Sequence, residues 1–385
     1  MTHEEERLAR IAISRLVEPG TAAVSAAIAR VGPVEVWNGL RQGLPPRPIS
    51  DRLAAAAQAR AEGYRPECDL EMLDRLGARV VCPGDVEWPA GRLTWSGWPR
   101  DSPPEVLFVR GVGHLATMVE RSVSVVGARA ASVYGVQVAR DLALALAERQ
   151  WPVVSGGAYG IDGAAHLGAL LAERGTTVAA LACGVDVAYP RGHAVLLERI
   201  AERGLLISEM PPGVAPTRSR FLVRNRVIAA LSLGTVVVEA AARSGSLTTA
   251  RLAGELGRVL MAVPGPVTSV MSVGSNDLLR HEAICVTSAD EVIDALGSLS
   301  DEAAAAPRAP ATSRDGLSAL VRQVLDAVPV REWAGEATIA RQAGVPALTI
   351  LQVLPPLAVA GLVEQGLDGW RLTTLGAGRP ARAAP

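Results

Sequence analysis

Three times between Ser122 and Ala283 an apolar run enters a glycine-bearing turn and a helix begins where the turn ends, and nothing else in the chain limits its fold so strongly. Ser124-Val125-Val126-Gly127-Ala128-Arg129 is the first such device, and Val153-Val154-Ser155-Gly156-Gly157-Ala158-Tyr159-Gly160 is the second. The third runs from Val236-Val237-Val238-Glu239 into Ser244-Gly245-Ser246-Leu247-Thr248-Thr249. Continuous Val, Leu and Ile runs bounded by glycine suit strands buried on both faces. Such strands, alternating with helices, predict an α/β fold built on a doubly wound parallel sheet. All three turns then lie at one edge of that sheet, where backbone N–H groups and positive helix ends point outward and favour an anion. Phosphate is the anion to expect.

Further strands are expected at 178–183, 205–209 and 259–263. Helices are expected at 138–148, from a cap at Asp162 through 173, at 226–231 and at 250–256. Residues 66–297 are assigned to this extended Rossmann-like domain, in which Trp88, Trp95 and Trp98 either cover an edge of the core or, with arginines, form a stacking platform. Residues 1–65 read as a small helical module of a sterile-alpha-motif or helix-hairpin-helix kind, with Leu8, Ile11, Ala12 and Leu16 on one helix face. Alanine, proline and acid without apolar period mark 298–314 as a flexible linker. Three helices at 317–328, 337–343 and 347–359, then a hairpin around Leu362-Val363-Glu364 and Gly369-Trp370-Arg371-Leu372, make 315–378 a winged-helix domain.

The net charge is −1 and the pI about 6.6, so a polyanion site has to be a local cluster on a near-neutral body. All 38 basic side chains are arginines, which excludes a Walker A phosphate loop and any Schiff-base chemistry. Cys68, Cys82, Cys183 and Cys285 lie too far apart for a metal motif and read as buried thiols in a reducing compartment. No metal site is expected. The polar, acidic start Met1-Thr2-His3-Glu4-Glu5-Glu6-Arg7 is unlike a signal peptide, and no apolar run is long enough to span a membrane. The cytoplasm follows as the expected location.

Two enzyme classes share this kind of sheet. A nucleotide-dependent dehydrogenase needs a glycine fingerprint after its first strand, and Gly127-Ala128-Arg129-Ala130-Ala131-Ser132 lacks the second and third glycines. A hydrolase finds nominal parts in Ser155, Asp162 and His166, the last two four apart and able to bond each other, but no G-x-S-x-G elbow accompanies them. The most informative cluster is Arg218-Ser219-Arg220-Phe221-Leu222-Val223-Arg224-Asn225-Arg226, four arginines around an aromatic. Asp and Glu are absent from 211–234, so no acid close in sequence neutralises them. Arginine forks fit phosphate oxygens, and Phe221 offers a face to a base.

These blocks, taken in order, resemble the DprA/Smf family, the DNA-processing proteins of bacterial natural transformation. The resemblance rests on Val126-Gly127-Ala128-Arg129 with Ser132 and Tyr134-Gly135, Ser155-Gly156 with Gly160-Ile161-Asp162 and Ala165-His166, and Tyr189-Pro190. It continues through Ser208-Glu209, Phe221 with Arg224-Asn225-Arg226, Glu239 with Ser244 to Ala250, Pro264-Gly265, and Gly274 with Asn276. It implies single-stranded DNA binding without nucleotide hydrolysis and without a cofactor, protection of incoming strands, loading of the RecA recombinase, and a homodimer. The implied DNA-binding set is Gly127, Arg129, Ser132, Ser155, Gly156, Gly157, Arg218, Arg220, Phe221, Arg224, Asn225, Arg226, Ser244, Gly245, Ser246, Thr248 and Thr249. Arg129, Arg224 and Arg226 are the expected phosphate ligands and Phe221 the stacking residue. Leu278, Leu279 and Ile284 are the expected dimer contacts.

Two departures stand out. Tyr159 occupies a position where the family usually has arginine, and Glu282 one where it usually has glycine. A nucleotide-binding hydrolase of the phosphoribohydrolase kind is the remaining alternative, but its P-G-G-x-G-T-x-x-E block is missing between Glu239 and Thr249. In the C-terminal domain, 347–362 contains no arginine, no acid and one glutamine, with Pro355-Pro356 inside it. A recognition helix needs donors for phosphates and bases, so this module is expected to bind protein or another copy of itself, or to act as a regulatory cap.

Overall fold

The computed structural model describes residues 2–93, 98, 102–297 and 317–374. The expected linker and Trp95 lie outside the described residues. The chain forms two compact units, 1–303 and 304–385.

The first unit is organised by a nine-stranded sheet. Its strands are β1 (Ala78–Val81), β2 (Leu107–Gly111), β3 (Val123–Val126), β4 (Val153–Ser155), β5 (Thr177–Leu181), β6 (Leu205–Ser208), β7 (Gly234–Val237), β8 (Val259–Ala262) and β9 (Ile284–Cys285). They lie in the order β1-β2-β6-β5-β4-β3-β7-β8-β9. From β6 to β9 every pairing is parallel, whereas β2 joins β6, and β1 joins β2, antiparallel. The sheet is therefore mixed rather than purely parallel. The two added strands precede β3 in the chain.

Successive strand residues feed opposite faces of this sheet. Val126 and Val154 pack into one core with Val227, Ile228, Leu231, Ala250 and Ala253, from the helices Arg218–Leu231 and Ser246–Glu255. Val123, Val125 and Val153 pack into the other, with Ala139, Leu146, Ile161 and Ala165 from the helices Val133–Glu148 and Ile161–Ala169. Those last two helices touch at Gly168, where a Cβ would stand 2.1 Å from the carbonyl oxygen of Arg140. Only glycine permits that approach.

Some boundaries differ from expectation. The helix after the second turn ends at Ala169 rather than 173, and its N-cap is Gly160 at φ 76°, with Asp162 inside the first turn. The helix expected at 226–231 begins earlier, at Arg218 with Thr217 as its cap, so the arginine-rich stretch is helical. Cys82 and Cys183 are buried, but Cys68 and Cys285 are exposed; all four are free.

Five helices precede or flank β1: His3–Leu16, Ala22–Val31, Pro33–Gln42, Asp51–Ala61 and Pro66–Arg75. Ile13, Leu16, Val24, Val36, Leu40 and Ile49 give them a core of their own. Ion pairs then tie them to the sheet: Arg7 to Asp85 at 2.8 Å, and Arg10 to Glu105 at 2.6 Å.

The second unit contains the helices Ala319–Asp326, Glu336–Ala343 and Ala347–Val359, then an antiparallel hairpin of β10 (Val363–Gly366) and β11 (Gly369–Leu372). Val324, Leu325, Ile339, Ile350, Leu354 and Trp370 fill its centre. Ala347–Val359 runs unbroken through Pro355 and Pro356, because Ile350, Leu354 and Leu357 anchor it on both sides of the prolines. Among the described residues no single helix is long and apolar enough to cross a membrane.

Candidate nucleic-acid interface

Strand order reverses at β3, with β4 on one side and β7 on the other, and in open α/β sheets ligands bind outside the carboxyl ends of the strands at such a switch. A cavity of about 450 Å³ opens there. Its wall takes Gly127, Ala128 and Arg129 from the first turn, Ala158 and Asp162 from the second, and Arg243, Ser244, Gly245, Ser246 and Thr249 from the third. Phe221, Arg224 and Asn225 close it from the helix above. The three glycine turns do share one edge.

Close backbone approach explains the glycines. A Cβ on Gly127 would meet Ile161 at 2.5 Å and the carbonyl oxygen of Glu239 at 2.8 Å. The amide of Ala128 donates to that same oxygen at 2.7 Å, so the first turn is clasped to the third. At Gly160 a Cβ would stand 2.2 Å from the carbonyl oxygen of Ala128, and the positive φ independently favours glycine. Glu239, fully buried, accepts from the Ser132 amide at 2.8 Å and the Ser132 hydroxyl at 2.7 Å. The turns are thus fixed before any ligand arrives.

The arginines divide into two kinds. Arg224 is buried: its guanidinium donates to the carbonyls of Gly156, at 2.6 Å, and Ala180. Burial lowers it to about 10, against the pull of Asp162. Asp162 is itself pushed up by burial, with Arg224 opposing. Arg224 therefore forms the floor of the cavity. Arg226 turns away from it, donating to Glu209 and to the Ser102 carbonyl, each at 2.6 Å. Arg220 is paired bidentately with Glu18, at 2.9 and 2.5 Å. The missing local acids are thus replaced by acids from afar, which a reading of the neighbouring residues had no way to find.

Arg129, Arg191, Arg218 and Arg243, by contrast, are exposed, and no described acidic side chain pairs with them. Arg129 rests over the Phe221 ring at 4.5 Å. Its guanidinium is held at the cavity mouth, where a base can stack on its plane. Arg243, in the third turn, lines the same cavity. It was missed in the sequence, although it directly precedes Ser244, because it lies outside the arginine run. Arg218 is exposed on the first helical turn and does not line the cavity.

The remaining expected residues have structural partners. Ser155 donates to the carbonyl of Val125 at 2.6 Å. Ser132 caps the helix Val133–Glu148 and holds Glu239, so neither hydroxyl is free for a ligand. The carbonyl of Gly157 engages His193 at 3.0 Å, and the side-chain amide of Asn225 reaches the carbonyl of Gly245 at 3.5 Å. Ser244 and Ser246 bond to each other at 2.7 Å on the cavity wall, where the helix Ser246–Glu255 begins, while Thr248 lies one position off that wall. The nominal hydrolase parts are not assembled. His166 is fully buried, bonds Thr177 at 2.8 Å instead of Asp162, and is held by burial at about 3.

Residues 79–297 match the family model of DNA recombination-mediator protein A. The chain belongs to that family. A Mycobacterium tuberculosis protein assigned as the DNA processing protein DprA is 47% identical over 378 residues, covering 96% of this chain and 95% of that protein. The Smf protein of Escherichia coli is 40% identical over 232 residues, 60% of each chain. The X-ray structure of DprA from Streptococcus pneumoniae aligns with a TM-score of 0.61 at 29% identity, covering 76% of this chain and 98% of that one. This is a family of DNA-binding recombination mediators and not of enzymes.

Within a recombination mediator the late segment of the sheet takes on interest. Asn276 clasps Gly265 in both directions at 3.1 Å, fixing the loop after β8. Leu278 is buried in the core and Leu279 packs against it, so of the three expected dimer contacts only Ile284, on the edge strand β9, is exposed. Glu282 caps the helix Val273–His281 at φ −146°, a conformation open to any residue, and needs no glycine.

Proposed function

We propose that this chain binds single-stranded DNA in the cleft at the β3 switch point, shields it, and passes it to the RecA recombinase in the cytoplasm, without hydrolysing nucleotide. The observation that carries this reading is the pair Arg129 and Arg243, exposed, without ion pairs and lining one cavity floored by Arg224 and rimmed by glycine turns. A rigid cationic pocket with an aromatic beside it suits a phosphodiester chain whose bases are unstacked. Family membership supports the recombination role. The direct experiment is a titration of single- and double-stranded oligonucleotides of one sequence at several salt concentrations. Preference for the single strand, with a linear fall of log affinity with log salt, is expected. Equal affinity for duplex, or release of free base from nucleoside monophosphates, would overturn it.

The second unit contributes little to that affinity on this reading. Its helix Ala347–Val359 exposes Leu348, Leu351 and Val359, which suits a protein partner better than a groove of phosphates. Deleting residues from 304 onward is expected to change single-strand affinity by less than tenfold, about 1.4 kcal/mol. A larger loss in a folded truncation would assign DNA contacts to this unit.

Self-association is proposed through the edge strand β9, where Ile284 is 48% exposed. Ile284→Glu is expected to shift the mass seen by light scattering toward the monomer at micromolar concentration. A wild-type monomer throughout that range would remove the dimer.

A further inference from the structure

Beside the cavity, at the carboxyl ends of β4 and β5, stands a second aromatic group that the cavity does not use. Tyr159 follows the cavity-wall residue Ala158 and is 50% exposed; Tyr189, in the turn after β5, is 41% exposed. Singly scattered apolar residues on a surface need no explanation. These two are not scattered, because each ring is pinned by a neighbour. Tyr159 meets His193 edge-on, with centroids 4.7 Å apart and planes at 75°. His193 is itself fixed by the Gly157 carbonyl at 3.0 Å and packs so tightly on Gly163 that a Cβ there would stand 2.5 Å from its ring. Tyr189 lies 5.5 Å from Phe221, the aromatic of the cavity.

The aromatic surface therefore continues from the cavity onto the neighbouring turn. Arg191, exposed and without an ion pair, lies two residues after Tyr189 and two before His193. Half-exposed rings held in place, next to a free guanidinium, are the elements that seat one base and its phosphate.

We propose that Tyr159 and His193, linked to the cavity aromatic Phe221 through Tyr189 four residues before His193, form a stacking subsite for a base of the strand that leaves the cavity on the β5 side, with Arg191 holding its phosphate. The proposal rests on the reading of the cavity as a single-strand site. It gives Tyr159 a role by stacking where an arginine at that place would act by charge. The subsite would tolerate any base, since every base has a π face.

The test is an anisotropy titration of the full chain with labelled oligothymidylates of increasing length at fixed salt, for wild type, Tyr159→Ala and Tyr159→Phe. The shortest oligomers that bind should show equal affinity in all three. Beyond one threshold length, Tyr159→Ala should bind about 5- to 150-fold more weakly, while Tyr159→Phe stays with wild type. Wild-type affinity at every length in Tyr159→Ala overturns the subsite while leaving the cavity reading intact. A loss that is uniform over all lengths also overturns it, since Tyr159 would then act within the cavity or on the fold. No binding by wild type at any length overturns both readings together.

Discussion

Replacing Arg226 with methionine should destabilise the folded chain by about 3–5 kcal/mol, the usual consequence of removing one partner from a buried ion pair. The guanidinium and the Glu209 carboxylate are 7% and 6% exposed and 2.6 Å apart, and Arg226 also bonds the Ser102 carbonyl and lies over Trp98 at 5.4 Å. Glu209 Oε2 already lacks a hydrogen-bond partner among the described residues. Burial pushes the Glu209 carboxyl up, Arg226 draws it down, and the neighbouring Glu105 adds to the rise. The sign of the pH effect follows. A carboxyl raised in the folded state keeps a proton that the unfolded chain releases, so stability is fully present below the ordinary glutamate range and falls as pH rises toward the folded value. Without Arg226 that rise is larger, so Arg226→Met should lose most at neutral pH and recover part of the loss in mild acid. Urea midpoints at pH 5 and pH 8 measure this, and Glu209→Gln added to Arg226→Met should restore stability. Unchanged midpoints with weakened DNA binding would return Arg226 to the groove.

That contrast marks how far the sequence could be read. The three strand–turn–helix devices were legible because burial on both faces and the glycine turns leave a local signature, and the structure gathers them at one sheet edge as they require. The antiparallel placement of β1 and β2 beside β6 was not legible, since pairing direction is decided by partners remote in sequence. The arginine run was conspicuous for its charge, yet charge near in sequence says nothing about acids distant in sequence. Glu18 and Glu209 neutralise Arg220 and Arg226, and backbone carbonyls hold Arg224. Arg243 is a lone arginine in a small-residue turn, and only the fold brings it to the same cavity as Arg129.

The largest effect on binding is expected from Arg129→Ala combined with Arg243→Ala. Each guanidinium is exposed and unpaired, so its removal leaves no buried acid behind and little change in stability should accompany it. A charge-assisted contact contributes about 1.5–3 kcal/mol, which is roughly 10- to 150-fold in affinity per residue. Each lost phosphate contact on a single strand also lowers the slope of log affinity against log salt by about 0.7, so the double variant should lose about 1.4. Arg129→Lys separates the two jobs of that residue: it should keep the slope while losing the planar contact over Phe221, and with it part of the affinity. Arg224 offers no comparable test, because removing it releases the carbonyls of Gly156 and Ala180 and disturbs the turn itself. The measurements are single-strand titrations from about 50 to 200 mM salt, the range over which such contacts change affinity most visibly, with urea midpoints alongside. A double variant of unchanged midpoint, affinity and slope would place the strand elsewhere on the molecule, since Arg129 and Arg243 are the exposed cations among the described residues that line the switch-point cavity.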